Sequence, residues 1–170
     1  MKRLVPTGEM TLGPFFPREF AQGANDLTVV DGKKAAGEAI EIRGCVRQAD
    51  GKPLDNVVLE IWQADAQGRT DNPGFFGWGR AATDQDGNYV FHTVKPGAIA
   101  GRAPHVNFIV LYSGLMRALH TAMFFDDSKD PVLDAVPSDR RTKLIAQREG
   151  TVCRFDIRLK GEGETPFFDD

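Results

Sequence analysis

Apolar and polar residues alternate in several short segments of this chain. The segments are 39–47, 89–92, 105–110, 119–125 and 152–159. Because successive side chains of a strand point to opposite faces, such alternation predicts half-buried β-strands. Residues 57–62 are almost continuously apolar, which is typical of a central strand covered on both faces. In all, the pattern predicts about seven short strands.

Turns rich in Gly, Pro and Asp connect these segments, and little of the chain has the period of a helix. Segments 50–53 and 83–88 are typical of turns between strands. One short helix is predicted from Ser138 to about Gln147, with Ser138 as its N-cap and Asp139 in its first turn. Short strands with so little helix favour an all-β fold, an antiparallel β-sandwich.

The two ends of the chain lack a strand pattern but carry several aromatic residues. Residues 1–38 contain phenylalanines beside prolines, and such rings are costly to leave in water. We expect this N-terminal arm to pack either on its own domain or on a partner. Residues 39–170 are expected to form the sandwich, with the acidic and aromatic tail from Gly161 docked as a second arm.

Composition places the chain among ordinary globular proteins. Its 170 residues are 41% hydrophobic and 26% charged, and no apolar run approaches the length of a membrane span. A net charge of −3 without a basic cluster gives no reason to expect nucleic acid. Cys45 and Cys153 lie in alternating apolar segments, as buried free thiols do, and no export signal follows Met1. We therefore expect a cytoplasmic protein with no membrane or nucleic-acid partner.

One long loop is unusually aromatic. Residues 65–79 contain four Gly and one Pro together with Phe75, Phe76 and Trp78. A loop of this length that carries large rings is more than a spacer. It is expected either to cover the core or to form an interface.

His105 and Asn107 are the candidate metal-binding pair, because alternation puts them on the same face of a predicted strand. A mononuclear site needs about three suitable ligands, and the remaining histidines, His92 and His120, lie in separate segments. The chain also lacks a nucleophile elbow and a phosphate-binding loop. These residues alone indicate a scaffold without a catalytic set, with a metal site built from His105 and either of the other histidines as an alternative.

Several motifs of the chain resemble those of the intradiol ring-cleaving dioxygenases, and the resemblance covers nearly everything after Thr11. The motifs are Thr83-Asp84-x-x-Gly87-x-Tyr89-x-Phe91, Lys95-Pro96-Gly97, Pro104-His105-Val106-Asn107-Phe108, Trp62-Gln63-Ala64-Asp65, Leu119-His120-Thr121-x-Met123-Phe124-Phe125 and the segment 154–168. The resemblance implies a transthyretin-like sandwich and an oxidative ring-cleaving activity. The tail in particular is similar to that of the alpha-type subunits in two-chain members of the family.

The positions that hold iron in catalytic members of this family have changed. There, two tyrosines and two histidines bind ferric iron, and the resemblance places Thr70, Ile99, His105 and Asn107 at those positions. Threonine and isoleucine cannot supply phenolate oxygens. We therefore predict that this chain binds no metal, that His105 and Asn107 form a hydrogen-bonded polar pair, and that Fe(III) is bound by a partner beta subunit.

The resemblance also implies a role for this chain in an alpha–beta heteromer that cleaves a small aromatic acid, protocatechuate. Thr11, Gly13 and Pro14 match a segment that borders the substrate cavity of the beta subunit. Where alpha subunits carry an arginine aimed at the substrate carboxylate, this chain has Ser113, so Arg117 is the candidate replacement or else a solvated turn residue. The alternative function is a non-enzymatic transthyretin-like binding module.

Overall fold

Two β-sheets packed face to face form the body of this protein, whose computed structural model describes residues 17–168. The strands are, in chain order, β1 (Val29–Val30), β2 (Lys33–Lys34), β3 (Ala39–Arg47), β4 (Val58–Trp62), β5 (Trp78–Ala82), β6 (Asn88–Val94), β7 (His105–Leu111), β8 (Leu119–Phe124), β9 (Gln147–Glu149), β10 (Val152–Arg154) and β11 (Ile157–Arg158). In the five-stranded sheet, β3 pairs with β6 on one side and with β10 and β11 on the other, and β9 follows β10. The four-stranded sheet has the order β5-β4-β7-β8, and β1 and β2 form a separate hairpin. The predicted all-β sandwich is confirmed.

A buried aromatic cluster joins the two sheets. Phe91 of β6 meets Phe108 of β7 edge-on at 6.2 Å between ring centroids, and Phe108 lies 5.3 Å from Phe155. These rings are almost completely buried, and aliphatic side chains from both sheets surround them. Since each ring buries about 150–250 Å², the cluster accounts for much of the hydrophobic contribution to folding.

The predicted central strand β4 does lie inside its sheet, between β5 and β7. Leu59 and Ile61 are fully buried against the core. The expectation that both faces of this strand are covered is wrong at its end, because the Trp62 side chain remains 47% exposed. The outer face of the four-stranded sheet is therefore open beside Trp62.

Strands β10 and β11 run parallel to β3, whereas all other strand pairs are antiparallel. Between them, the Phe155 backbone lies against β3 at Gly44, where an added Cβ would lie 1.8 Å from the Phe155 carbonyl oxygen. The buried Tyr89 hydroxyl donates a hydrogen bond to that same carbonyl. Burial raises the pKa of Tyr89 well above its usual value, so the phenol stays protonated and keeps its donor.

The described part of the N-terminal arm packs on its own domain, which is one of the two alternatives predicted for it. The backbone N–H of His92 donates to the Asn25 carbonyl, and the N–H of Leu27 donates to the His92 carbonyl, both at 2.8 Å. The Leu27 side chain is buried in the main core. Residues 25–27 therefore extend the edge of the five-stranded sheet at β6.

A second, smaller core lies on the outer face of β8. It is covered by helix α1 (Pro131–Ala135), helix α2 (Ser138–Arg141) and a following 3-10 turn at Thr142–Leu144. Leu133 and Leu144 are fully buried there against Ala122 and Phe124. The four-stranded sheet is thus apolar on both faces at this end.

The predicted helix from Ser138 to Gln147 is wrong in length and in its cap. The helix ends at Arg141, its N-cap position is Pro137, and Ser138 is already helical. After the 3-10 turn the chain becomes extended, because the N–H of Ala146 donates to the Phe124 carbonyl at 2.8 Å and aligns this segment with β8. Helix α1 was not predicted at all. No helix within residues 17–168 has the length and apolar character needed to cross a membrane.

Asp130 fastens α1 to the start of β7. Its side chain is completely buried and caps the helix by accepting from the N–H groups of Val132 and Leu133. The same carboxylate accepts from Arg102 Nε at 2.7 Å and from the Ala103 N–H at 2.9 Å. Burial alone would raise the pKa of Asp130, but the Arg102 guanidinium and the backbone donors outweigh it and hold the pKa below its ordinary value.

We expect Gly44→Ala to destabilise the fold by about 3 kcal/mol or more. The new methyl group overlaps the Phe155 carbonyl and forces the segment between β10 and β11 away from β3. Urea unfolding measures the loss. Gly74→Ala is the matched control, since its new Cβ meets only a side-chain oxygen of Asn72 at 3.3 Å. Equal stability of the two variants would contradict the close approach at Gly44.

Asp130→Asn should lower the free energy of unfolding at pH 7 by about 3 kcal/mol, because it leaves Arg102 without its buried counter-charge. The pKa of Asp130 is lower in the folded state than in the unfolded state. The ionised carboxylate therefore stabilises the fold fully above its unfolded pKa of about 4, and this stabilisation is lost as the pH falls through its folded pKa. The difference from wild type should therefore shrink in acid.

The control for this prediction is Asp134→Asn on the same helix, where the carboxylate is 46% exposed and lies 3.6 Å from Arg141. A surface pair of this kind contributes about 1 kcal/mol or less. Denaturant titrations at several pH values compare the two. A pH-independent difference between Asp130→Asn and wild type would rule out the ionised carboxylate as the source of the stability.

Candidate functional site

A cavity of about 620 Å³ opens on the outer face of the four-stranded sheet, beside α1. Strands β4, β7 and β8 form its floor, α1 forms one wall, and the C-terminal tail forms another. The lining residues are Trp62, Arg102, Asn107, Phe108, Ile109, His120, Thr121, Ala122, Pro131, Val132, Ala135 and Phe168. This is the face that carries His105 and Asn107, so it is the place where the sequence motif predicts a former metal site.

Strand register brings the floor residues together. Trp62 is the cross-strand partner of Asn107, and Asn107 is the partner of Ala122 on its other side. Neighbouring strands are about 4.8 Å apart, so these three side chains form one row across the sheet. His120 lies opposite Ile109 in the next row on the same face, and its backbone pairs with Phe168 of the tail. The docked tail predicted from the sequence thus closes one end of the cavity.

His105 is held by a backbone carbonyl and by packing against an aromatic ring. Its ring is buried, Nδ1 lies 2.7 Å from the Ala103 carbonyl oxygen, and the ring centroid lies 5.7 Å from that of Phe124. Burial lowers the pKa of His105, so the imidazole is neutral near pH 7 and Nδ1 is the donor to Ala103. The predicted hydrogen bond between His105 and Asn107 is wrong, because the backbone two residues earlier supplies the partner of the ring.

The residues at the expected ligand positions do not fit ferric iron. Thr70 is exposed in the loop after β4, and Ile99 is half-buried in the loop before β7. Neither has a donor of the kind that such an ion needs. Across residues 17–168, no group of three or more His, Cys, Asp or Glu side chains is placed to hold a metal ion.

The other histidines do not complete a site with His105. His92 is exposed on β6, in the other sheet. His120 lies across from Ile109, four residues along β7 from His105, which corresponds to about 13 Å of strand. The alternative of a self-sufficient metalloenzyme based on these residues is therefore not supported by the geometry.

Asp65 organises the loops that carry Thr70 and Ile99, a role that the sequence reasoning missed. Its buried carboxylate accepts from the N–H groups of Gln67 and Arg69 at 2.9 Å and from the Arg69 side chain at 3.0 and 3.1 Å. Burial would raise the pKa of Asp65, but these donors outweigh it and keep the pKa below its ordinary value. The Asp65 carbonyl also accepts from Gly97, which ties the two loops together.

Of the predicted substrate-binding residues, only Arg117 lies in the described part of the chain. Thr11, Gly13 and Pro14 lie outside the described residues. Arg117 is exposed in the turn between β7 and β8, at the far end of β7 from His105. It does not line the outer-face cavity, so any substrate that Arg117 contacts lies elsewhere.

The aromatic loop covers the core, which is one of the two alternatives predicted for it, and the interface stays a prediction. Phe75 is buried in the main core, whereas Phe76 is 61% exposed. The ring of Phe76 contacts Trp78 edge-on at 6.2 Å, and Trp78 lies 6.3 Å from Trp62. The loop therefore covers the core with one ring and presents the next to solvent, close to the cavity mouth.

Comparison with known proteins places these features in a family. Residues 11–161 match the family model described as Dioxygenase. The chain is 35% identical to the protocatechuate 3,4-dioxygenase alpha chain of Burkholderia cepacia, over 99% of this chain and 100% of that protein. It is also 34% identical to the protocatechuate 3,4-dioxygenase beta chain of the same species, over 84% of this chain and 74% of that protein.

A solved structure agrees with the fold. The dioxygenase domain of a dioxygenase and carbohydrate-binding protein fusion from Streptomyces sp. SirexAA-E superposes with a TM-score of 0.63 at 26% identity, covering 92% of this chain and 99% of that one. The family match spans most of the chain and includes the strands that form the cavity floor. This chain therefore belongs to the intradiol dioxygenase family.

Proposed function

We propose that this chain is the alpha subunit of a protocatechuate 3,4-dioxygenase, in which a beta subunit binds the catalytic Fe(III). The observation that carries the proposal is the state of the former ligand positions. Thr70 and Ile99 offer no phenolate, and His105 is buried with its Nδ1 bonded to a backbone carbonyl. A family member in this condition contributes to ring cleavage through a companion chain.

The relatives also support an enzyme made of an alpha and a beta chain. One full-length relative is named an alpha chain, and another, of similar identity, is named a beta chain. These names imply that two homologous chains assemble into one enzyme. The two cysteines are buried free thiols whose pKa values are raised by burial, which fits a reducing cytoplasm.

The proposed reaction is intradiol cleavage of protocatechuate to 3-carboxy-cis,cis-muconate. The bond between the two hydroxylated ring carbons breaks, and one O2 is consumed, with one oxygen atom going to each new carboxylate. Ferric iron, held by the partner, supplies activation of the catechol toward O2. This chain contributes binding surface: Thr11, Gly13 and Pro14 at the border of the partner's substrate cavity, and Arg117 as a donor to the substrate carboxylate.

We expect iron and activity to require both chains. The full chain expressed alone should be colourless, contain no stoichiometric iron and show no O2 uptake with protocatechuate, because its ligand positions cannot hold Fe(III). Co-expression with a beta chain of the family should give a coloured complex with about one iron per chain pair. Metal analysis and an oxygen electrode measure both properties. Tightly bound iron with ring-opening activity in the single chain would overturn the proposal.

The role of Arg117 is tested in that complex. Arg117→Met should raise KM for protocatechuate by about tenfold or more, with a smaller change in kcat, because a charge-assisted hydrogen bond to the carboxylate is lost. Catechol lacks the carboxylate, so its KM should not change. Arg47→Met removes another exposed arginine, one that bonds a carbonyl of its own turn, and is the control. An unchanged KM for protocatechuate would assign Arg117 to the solvated surface.

A further inference from the structure

We propose that the outer-face cavity is a metal-independent binding site for a monocyclic aromatic carboxylate. The inference goes beyond the proposed function, because it concerns a ligand bound by this chain itself and requires no iron. It is carried by the size of the cavity, by the chemistry of its lining and by the way in which its polar groups are held.

The cavity has the dimensions and lining of a small-molecule site. Its volume of about 620 Å³ falls within the range of about 300–1,000 Å³ that is usual for ligand pockets. Most of the lining is apolar, with aromatic rings at Trp62 and Phe168. Trp62 remains 47% exposed although it lies in an interior strand. A flat aromatic ligand would cover this surface.

The polar groups of the lining select an anion. Arg102 is the one arginine or lysine among the described lining residues, and none of those residues has a carboxylate side chain. The buried carboxylate of Asp130 accepts a hydrogen bond from Arg102 Nε at 2.7 Å and so fixes the guanidinium beside the cavity. Within residues 17–168 the Nη atoms of Arg102 make no hydrogen bond, so they are available to a carboxylate, which is the acceptor that best matches the guanidinium fork.

Asn107 supplies a neutral hydrogen-bonding group on the floor. Its side chain is exposed and bonds to no other side chain or backbone group of the described residues. The amide can donate to a ligand oxygen and accept from a ligand hydroxyl. Asn107 sits beside Trp62 in the cross-strand row, so a ring against the indole would bring its polar substituents within reach of the amide.

The proposed role of this cavity is ligand binding. His105 turns its Nδ1 to the Ala103 carbonyl and does not line the cavity. Among the described lining residues, only His120 and Thr121 are of a type that could act as a general base or nucleophile, and the buried Thr121 hydroxyl donates its proton to the Pro166 carbonyl. We therefore assign the cavity a role in binding only.

The test uses the full chain in buffer with a chelator and benzoate as the probe. Benzoate should produce a saturable change in tryptophan fluorescence, because Trp62 lines the cavity, and saturation-transfer NMR should show the bound ring. Benzamide, which has the same shape without the charge, should bind at least about fivefold more weakly. Asn107→Leu should weaken benzoate by about fivefold, and Asn107→Trp should abolish binding by filling the cavity.

Asn88→Leu is the matched control, since it makes the same change at an exposed strand position of the other sheet, and it should leave binding unchanged. In the complex with a beta chain, equilibrium dialysis should count one benzoate fewer per chain pair for Asn107→Trp than for wild type. No saturation up to about 10 mM benzoate, equal binding of benzamide, or binding unaffected by Asn107→Trp would overturn the inference. Iron content and turnover of the complex report separately on the proposed function.

Discussion

The buried carboxylate of Asp130 is the contact on which the outer face of the four-stranded sheet depends. One oxygen caps α1, and the other accepts from Arg102 and from the Ala103 N–H. A buried carboxylate is tolerated only when its hydrogen bonds are satisfied, and each bond here fixes a different segment. The wall of the cavity, its charged group and the start of β7 are therefore set by a single side chain.

The same arrangement explains how the buried His105 side chain is stabilised. Ala103 donates its N–H to Asp130 and offers its carbonyl to the His105 ring. A buried imidazole is stable when it is neutral and has one nitrogen satisfied, and burial lowers the pKa of His105 accordingly. His105 occupies a position where the resemblance predicts a metal ligand, and its contacts here are structural. Phe124 completes that environment by packing against the ring.

Much of the fold could be predicted from the sequence, because strand periodicity is local. The segment 39–47 was predicted with the bounds that the structure gives to β3. Helix α1 was missed, although Asp130 followed by Pro131 is a helix-start signal, because the segment has too few residues to show a helical period. The helix at Ser138 was predicted too long, because pairing with β8 outweighs local propensity.

The cavity itself was beyond such reasoning. Trp62 and Asn107 lie in different segments of the chain, and only the register of β4 on β7 makes them neighbours. Arg102 becomes a cavity residue only through Asp130, which comes from a later loop. Sequence periodicity assigns faces to side chains within one strand, but it does not give the pairing between distant strands. The motif around His105 therefore indicated the correct face of the sheet. It did not indicate which residues from other segments surround the cavity on that face.

The positions at which the resemblance predicts iron ligands differ from the family pattern at several places, so a substitution at any one of them would not restore a ferric site. Asn107 lies on the same face of β7 as His105. A histidine in place of Asn107 would therefore restore only a second imidazole. Thr70 and Ile99 belong to two loops joined through Asp65, whose carboxylate and carbonyl hold the loops together without help from a metal. Each part of the former site is thus stabilised by contacts of its own. These contacts are consistent with the proposed roles, in which the cavity floor of this chain serves binding and a beta subunit holds the iron.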